Sequence, residues 1–154
     1  MSETEIAACD PRGADARHCL SQYFQLLLDR IDTLSPDDLP APEEDAIAYL
    51  GPRGVFLIAR LDGRPAGCVA LKTLAPGVGE VKRLWVAKDA RGQGLARRLM
   101  RALEDEARRL GLSRLQLDTN RAMTEALALY RADGWSEIRP YTAFPATHWF
   151  AKNL

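Results

Sequence analysis

Arg91-Gly92-Gln93-Gly94-Leu95-Ala96 lies between a β-type run ending Leu84-Trp85-Val86 and a long segment of helical pattern. Its composition suits it to holding an anion. Glycines at 92 and 94 let the backbone turn sharply and let a ligand approach the main-chain N–H groups. Those groups run into a helix N-terminus, where orphan amides and the macrodipole both favour negative charge. The implied chemistry is phosphate or pyrophosphate binding; the plainer alternative is a strand-to-helix turn with glycines for geometry. The dinucleotide fingerprint G-x-G-x-x-G would need a small residue at position 97, which is Arg97. No G-K-[ST] follows, which excludes a Walker loop.

The elements that must position this loop are legible on both sides. Glu80 to Val86 reads as a strand bounded by Gly77-Val78-Gly79 and Lys88-Asp89. From about Gly94 to Leu110, Leu95, Leu99, Leu103 and Leu110 fall at helical spacing, with Ala96, Ala102 and Ala107 widening the stripe. Gly111 then stops the helix. On the polar face, Glu104 with Arg108 and Asp105 with Arg109 form weak four-apart pairs.

The chain of 154 residues is expected to form one domain, 1–154, with 47% apolar and 27% charged residues and a formal net charge of zero. No global field recruits nucleic acid or an anionic membrane. No apolar run approaches a membrane span, and the N-terminus lacks a basic-then-apolar signal. A cytoplasmic location is the expectation. Cys9, Cys19 and Cys68 are widely spaced with no C-x-x-C, and His18 and His148 sit in no ligand pattern, so no metal is expected.

Taken in order, Thr4 to Ala8 is a candidate first strand and Ala14 to Ile31 a helix with a Leu20, Phe24, Leu27, Ile31 stripe. Asp32 to Pro52 is rich in proline and acids and holds a candidate short helix, Glu43 to Leu50. It reads as a solvated connector or as a lid favouring a cationic substrate. Val55 to Leu61 and Ala66 to Leu74 flank Asp62-Gly63, a hairpin signal. Leu115 to Asp118 reads as a strand and Thr124 to Ala132 as a helix. Trp135 to Ile138 and His148 to Lys152 are the closing strands. A strand, crossover helix and next strand imply parallel pairing. The expected architecture is mixed α/β, a mostly antiparallel sheet turning parallel in its second half, with helices on both faces.

Together, Leu84-Trp85-Val86, Arg91-x-x-Gly94-x-Ala96, the strand Leu115 to Asp118 and Ala126-x-x-Leu129-Tyr130 followed by Gly134-Trp135 resemble the GNAT superfamily of acyl-CoA-dependent N-acyltransferases. The motifs span Glu80 to Trp135. Thr119-Asn120-Arg121-Ala122 with Tyr130 and His148-Trp149-Phe150 is similar to a subgroup of small bacterial members. The resemblance implies acetyl-CoA as cosubstrate and direct transfer of its acetyl group to a primary amine. The loop amides of Arg91, Gly92, Gln93, Gly94, Leu95, Ala96 and Arg97 would hold the pyrophosphate. Leu84, Trp85 and Val86 would pair with the pantetheine arm, with the Trp85 or Val86 amide polarising the thioester carbonyl. For that, the strand at Leu115 must splay from its neighbour. The resemblance makes Tyr130 the general acid to the departing sulfur, against packing on the sheet. It makes Glu80 a candidate proton acceptor, against a strand-edge acid paired with Lys82 or solvent. Met123 stands where many members have asparagine; Asn120 either replaces it on pantetheine or caps the next helix.

The acceptor pocket would draw on Tyr23 to Leu50 and Arg139 to Trp149, where Tyr141, Phe144, His148 and Trp149 form an aromatic wall. Acid on one side and aromatic on the other suits a small amine, while Lys82 and Arg83 pull toward an anion. The rival functions are a catalytically silent acyl-CoA-binding sensor or partner module and a protein-lysine acetyltransferase. A homodimer through the C-terminal strands is open.

Overall fold

Asp62 and Gly63 both take positive φ, 51° and 84°, the two-residue turn that matches the twist of paired strands. It joins β2 (Gly54–Leu61) to β3 (Arg64–Ala75), and β4 (Val78–Val86) follows. With β1 (Thr4–Ala8), β5 (Arg114–Thr119), β6 (Ser136–Glu137) and β7 (His148–Asn153), these build one seven-stranded sheet in the order β1-β2-β3-β4-β5-β7-β6. The computed structural model describes residues 3–154. The helices are α1 (Ala14–Arg30), α2 (Pro42–Ala46), α3 (Leu95–Arg109) and α4 (Thr124–Ala132). The helix expected over Glu43 to Leu50 divides into α2 and a 3-10 turn at Ile47–Tyr49.

The central strands are covered on both faces, which is why Val55 to Leu61 reads as an unbroken apolar run. On one face Leu20, Phe24 and Leu27 of α1 pack with Phe56, Ile58 and Cys68. On the other, Leu95, Leu99 and Leu103 of α3 meet Leu57, Val69 and Leu71.

Two irregularities position the site. β4 and β5 pair in parallel only from Val78↔Arg114 to Glu80↔Gln116. Beyond Gln116, β5 stays with antiparallel β7 through Thr119↔His148, while β4 runs on to Val86 with no strand on that side among the described residues. Parallel pairing is thus confined to this junction. The second irregularity is a bulge: Cys68 lies opposite Trp85 and Ala70 opposite Lys82, which leaves an extra residue on β4. Arg83 sits in it at φ 61°, a left-handed conformation uncommon for a side chain of this size. The Cys68 thiol, its pKa pushed well up by burial, donates to the Arg83 carbonyl at 3.1 Å.

Gly67 lies beside this bulge, and a Cβ there would stand 2.9 Å from the Trp85 carbonyl oxygen. Gly67→Ala must therefore push β3 from β4. Urea unfolding is expected to show a loss of about 1–3 kcal/mol, with a larger loss for valine.

Candidate active site

α3 begins at Leu95 behind Gly94, which has φ 74° and provides no side-chain cap. Gly92 is also left-handed, at φ 79°. An added Cβ would meet nothing within 4 Å at either glycine. The backbone conformation, not crowding, is what requires glycine there. The N–H groups of Leu95, Ala96 and Arg97 have no intrahelical acceptor and open toward the bend.

Beside them lies a cavity of about 180 Å³. Leu84, Trp85 and Val86 supply one wall, Arg91, Gly92, Gly94, Leu95 and Ala96 the end, and Met123, Ala126 and Leu129 the opposite wall. Gln93 and Arg97 are exposed and lie outside this lining. Trp85 turns its ring under α1, edge-on to His18 at 6.2 Å, so its indole belongs to the core. Ala87 N–H donates to the Ala66 carbonyl at 2.8 Å. Alternation then turns the Val86 N–H and C=O toward the free edge. Arg91 Nε reaches that carbonyl at 3.2 Å. Across the mouth, Arg30 of α1 holds Glu125 of α4 in a bidentate pair and draws its carboxyl down to about 2.

Where β4 and β5 part, a second cavity of about 30 Å³ is lined by Tyr130 with Tyr23, Arg83, Leu84 and Asp118. Tyr130 is 5% exposed. Its ring packs on Trp135 and Phe150, with centroids 5.7 and 5.8 Å away. It is a core aromatic and a cavity residue at once. Burial first, then the neighbouring Tyr23 and Asp118, hold its pKa above the usual phenol range. The hydroxyl therefore keeps its proton.

Glu80 is placed differently. It is 3% exposed, accepts from Tyr141 Oη at 2.8 Å and has Lys72 and Lys82 ammoniums at 3.5 and 3.8 Å. It lines none of the cavities described here. Asn120 is likewise committed: Oδ1 accepts from Ala122 N–H at 2.9 Å and Nδ2 donates to the Pro145 carbonyl at 2.7 Å. It braces the turn before α4, whose N-cap is Met123 with no side-chain cap, clamps the last loop and lines the next cavity rather than the first.

That third cavity, about 260 Å³, joins Tyr23 and Leu27 of α1, Asp38 of the acidic stretch, Lys82, Arg83, Asp118 and the loop from Thr142 to Ala146. Both segments expected to build an acceptor pocket contribute. Of the aromatic wall, Phe144 lines the cavity, while Tyr141 is bound to Glu80 and Trp149 Nε1 donates to Thr142 Oγ1. His148 Nδ1 and Thr147 Oγ1 lie 2.8 Å apart. The sequence reading did not find the pairing of Asp45 with Arg83. Arg83 Nε and Nη2 donate to its two oxygens at 2.9 and 2.7 Å, and the guanidinium stacks over Tyr23 and Phe24. Burial draws the Arg83 pKa down, and Asp45 more than restores it. The available sequence signal was Asp45 and Tyr49 one helical turn apart, now hydrogen-bonded. Among the described residues, no group of three or more His, Cys, Asp or Glu is placed to hold a metal ion, and no helix is long and apolar enough to cross a membrane.

The sequence pattern of the acetyltransferase (GNAT) family matches residues 20–135, which takes in β4, the glycine bend, α3, β5 and α4. The chain belongs to the GNAT family. An IAA acetyltransferase of Azospirillum brasilense is 38% identical over 120 residues, covering 75% of this chain and 78% of that protein. A GNAT acetyltransferase of Staphylococcus aureus Mu50 superposes with a TM-score of 0.82 at 17% identity, over 98% of this chain and 99% of that one. The PaiA N-acetyltransferase of Thermoplasma acidophilum, solved in complex with coenzyme A, gives 0.77 at 14% identity over 99% of each chain. At these identities the structural likeness is one of fold.

Within this GNAT fold the Arg83–Asp45 pair is the main buried charge contact between the sheet and the acidic stretch. Asp45→Ala strands a buried guanidinium, and denaturant unfolding is expected to show a loss of about 3–5 kcal/mol.

Proposed function

We propose that the protein transfers the acetyl group of acetyl-CoA to a primary amine of a small molecule. The observation that carries this reading is the parting of β4 from β5 beside an uncapped helix N-terminus. One end offers main-chain donors to a diphosphate and the other an unpaired strand edge to an amide-bearing arm, with a lipophilic wall between them. A chain with side-chain bulk at 92 and 94 could not hold that bend.

Acetyl-CoA supplies the acyl group as a thioester, already activated toward an amine. The residues do the rest. The amides of Gly92 to Arg97 and the Arg91 guanidinium receive the diphosphate, and the β4 edge from Leu84 to Val86 orients the arm. The Val86 N–H faces the slot and is the amide placed to polarise the acyl carbonyl; the Trp85 N–H faces β3. Tyr130 holds a proton at the divergence, where a departing thiolate can take it. The Tyr23, Asp38 and Phe144 side of the adjoining cavity admits the amine.

Calorimetry with acetyl-CoA and thiol release with a panel of amines test the reading. No heat at millimolar acetyl-CoA defeats it. Tyr130→Phe is expected to lower kcat by about 10²–10⁴-fold with acetyl-CoA affinity unchanged. Because burial raises the Tyr130 pKa, its protonated form persists through pH 10, and no alkaline decline in kcat belongs to it below that. A decline centred near pH 8 that vanishes in Tyr130→Phe would contradict this assignment.

A further inference from the structure

We infer that Asp118 is the seat of the acceptor's ammonium group, and that the acceptor is an amine with an apolar body and no carboxylate beside its nitrogen. The inference rests on the acetyltransferase reading above and adds the acceptor's charge and its docking residue.

Asp118 stands on β5 just past the last pair with β4. It lines both the small cavity that holds Tyr130 and the larger acceptor cavity, so a group bound to it sits where the two meet. Its orientation is set by neutral partners. Oδ2 accepts from Thr142 Oγ1 at 2.7 Å, and Trp149 Nε1 donates to that same hydroxyl at 2.8 Å. Among the described residues Oδ1 has no hydrogen-bond donor and the carboxylate no ion pair.

The other charges facing the cavity are differently committed. Arg83 spends Nε and Nη2 on Asp45. Lys82, which also lines both cavities, pairs at 3.8 Å with Glu80, which lines neither. Tyr23, Tyr130 and Tyr141 face Asp118 as phenols, and its charge helps to raise the pKa of each. Toward the mouth stands Asp38, one oxygen of which accepts from Ser35 N–H at 2.8 Å. Among the charged groups described where these cavities meet, the Asp118 carboxylate is the one without an ion pair, with a second acid at the entrance. A partly desolvated carboxylate with a free oxygen makes its best contact with an ammonium. An acceptor's own carboxylate would have to compete with Asp45 for Arg83. The walls beyond, Leu27, Ile31 and Phe144, match an apolar body.

The protons balance at this chain's own groups. One ammonium proton passes to Asp118, and the freed lone pair forms the C–N bond as the C–S bond breaks. The departing sulfur takes the Tyr130 proton, and the surplus proton on the new amide nitrogen restores the phenol. Asp118 then returns its proton to solvent through the open cavity.

The test pairs amines with their carboxylate-bearing counterparts: phenethylamine with phenylalanine, tyramine with tyrosine, tryptamine with tryptophan, isoamylamine with leucine. Calorimetry on the CoA-loaded protein and steady-state kinetics are read together. At least one decarboxylated member is expected to bind, and to exceed its counterpart by tenfold or more in kcat/KM. Asp118→Asn keeps the size and the acceptor for Thr142 but removes the charge. It is expected to weaken amine binding and raise KM at least tenfold, with acetyl-CoA affinity and Tm unchanged. Asp118→Glu should recover part of the loss, and Thr142→Val, which frees the orientation of Asp118 but leaves its charge, should raise KM by less than Asp118→Asn does. Amine binding unaltered in Asp118→Asn, a preference for the carboxylate-bearing members, or no amine bound would each overturn the inference. Loss of acetyl-CoA binding by the wild type would instead remove the acetyltransferase reading on which it stands.

Discussion

Main-chain N–H and C=O groups in a sheet must find partners, and β5 can serve only two neighbours. Here β7 occupies one side of β5 along its whole length, and β4 holds the other side only as far as Glu80. Past that point the two strands diverge, and α4 brings Ala126 and Tyr130 to the gap. The edge of β4 is left with polar groups facing a cavity. An exposed edge is ordinarily a hazard. In this molecule α1 and α4 flank it, and the Arg30–Glu125 pair ties the two helices across the opening, so the edge is reachable by a narrow ligand but not by another strand.

The bulge at Arg83 is the second half of the same constraint. An extra residue in β4 shifts which main-chain groups face outward and directs the Arg83 side chain toward α1. Its positive φ costs energy, and its burial would cost more without a partner. Asp45 offsets both by holding the guanidinium in a bidentate pair, with Tyr49 donating to the same carboxylate. This fixes one end of the acidic stretch against the sheet and leaves Asp38, nearer its start, at the acceptor cavity. Of the acids in this stretch, Asp45 is structural and buried, Asp38 lines the cavity, and Asp32, Asp37, Glu43 and Glu44 face solvent.

The cavity beside the glycine bend and the one reaching the last loop share Met123 with the small cavity that holds Tyr130, and they are built from different materials. The first is backbone and aliphatic wall, mostly from one continuous stretch and α4, with Leu26 of α1. The second is largely charged and hydroxyl side chains from α1, the acidic stretch, β4, β5 and the last loop. Backbone geometry tolerates change in the side chains around it, while a pocket made of side chains from many segments does not. This is the physical reason a diphosphate-binding bend can be common to a whole fold and an acceptor pocket particular to one chain.

What the amino-acid order alone determined is the part governed by short-range sterics. Hydrophobic period separated strands from helices, Asp62-Gly63 set the hairpin, and glycines 92 and 94 set the bend into α3, because each depends only on neighbours a few residues away. Of the cavity beside that bend, the wall and end from Leu84 to Ala96 are contiguous and so were legible for the same reason, while Leu26, Met123, Ala126 and Leu129 come from distant parts of the chain. Only the tertiary structure decided that β7 inserts between β5 and β6, that Arg83 takes Asp45 from 38 residues away, and that Tyr141 turns Glu80 into a held carboxylate. It also decided that Asn120 clamps Pro145. Those outcomes depend on where the chain returns in space, and side chains of the same type compete for the same partner until packing selects one.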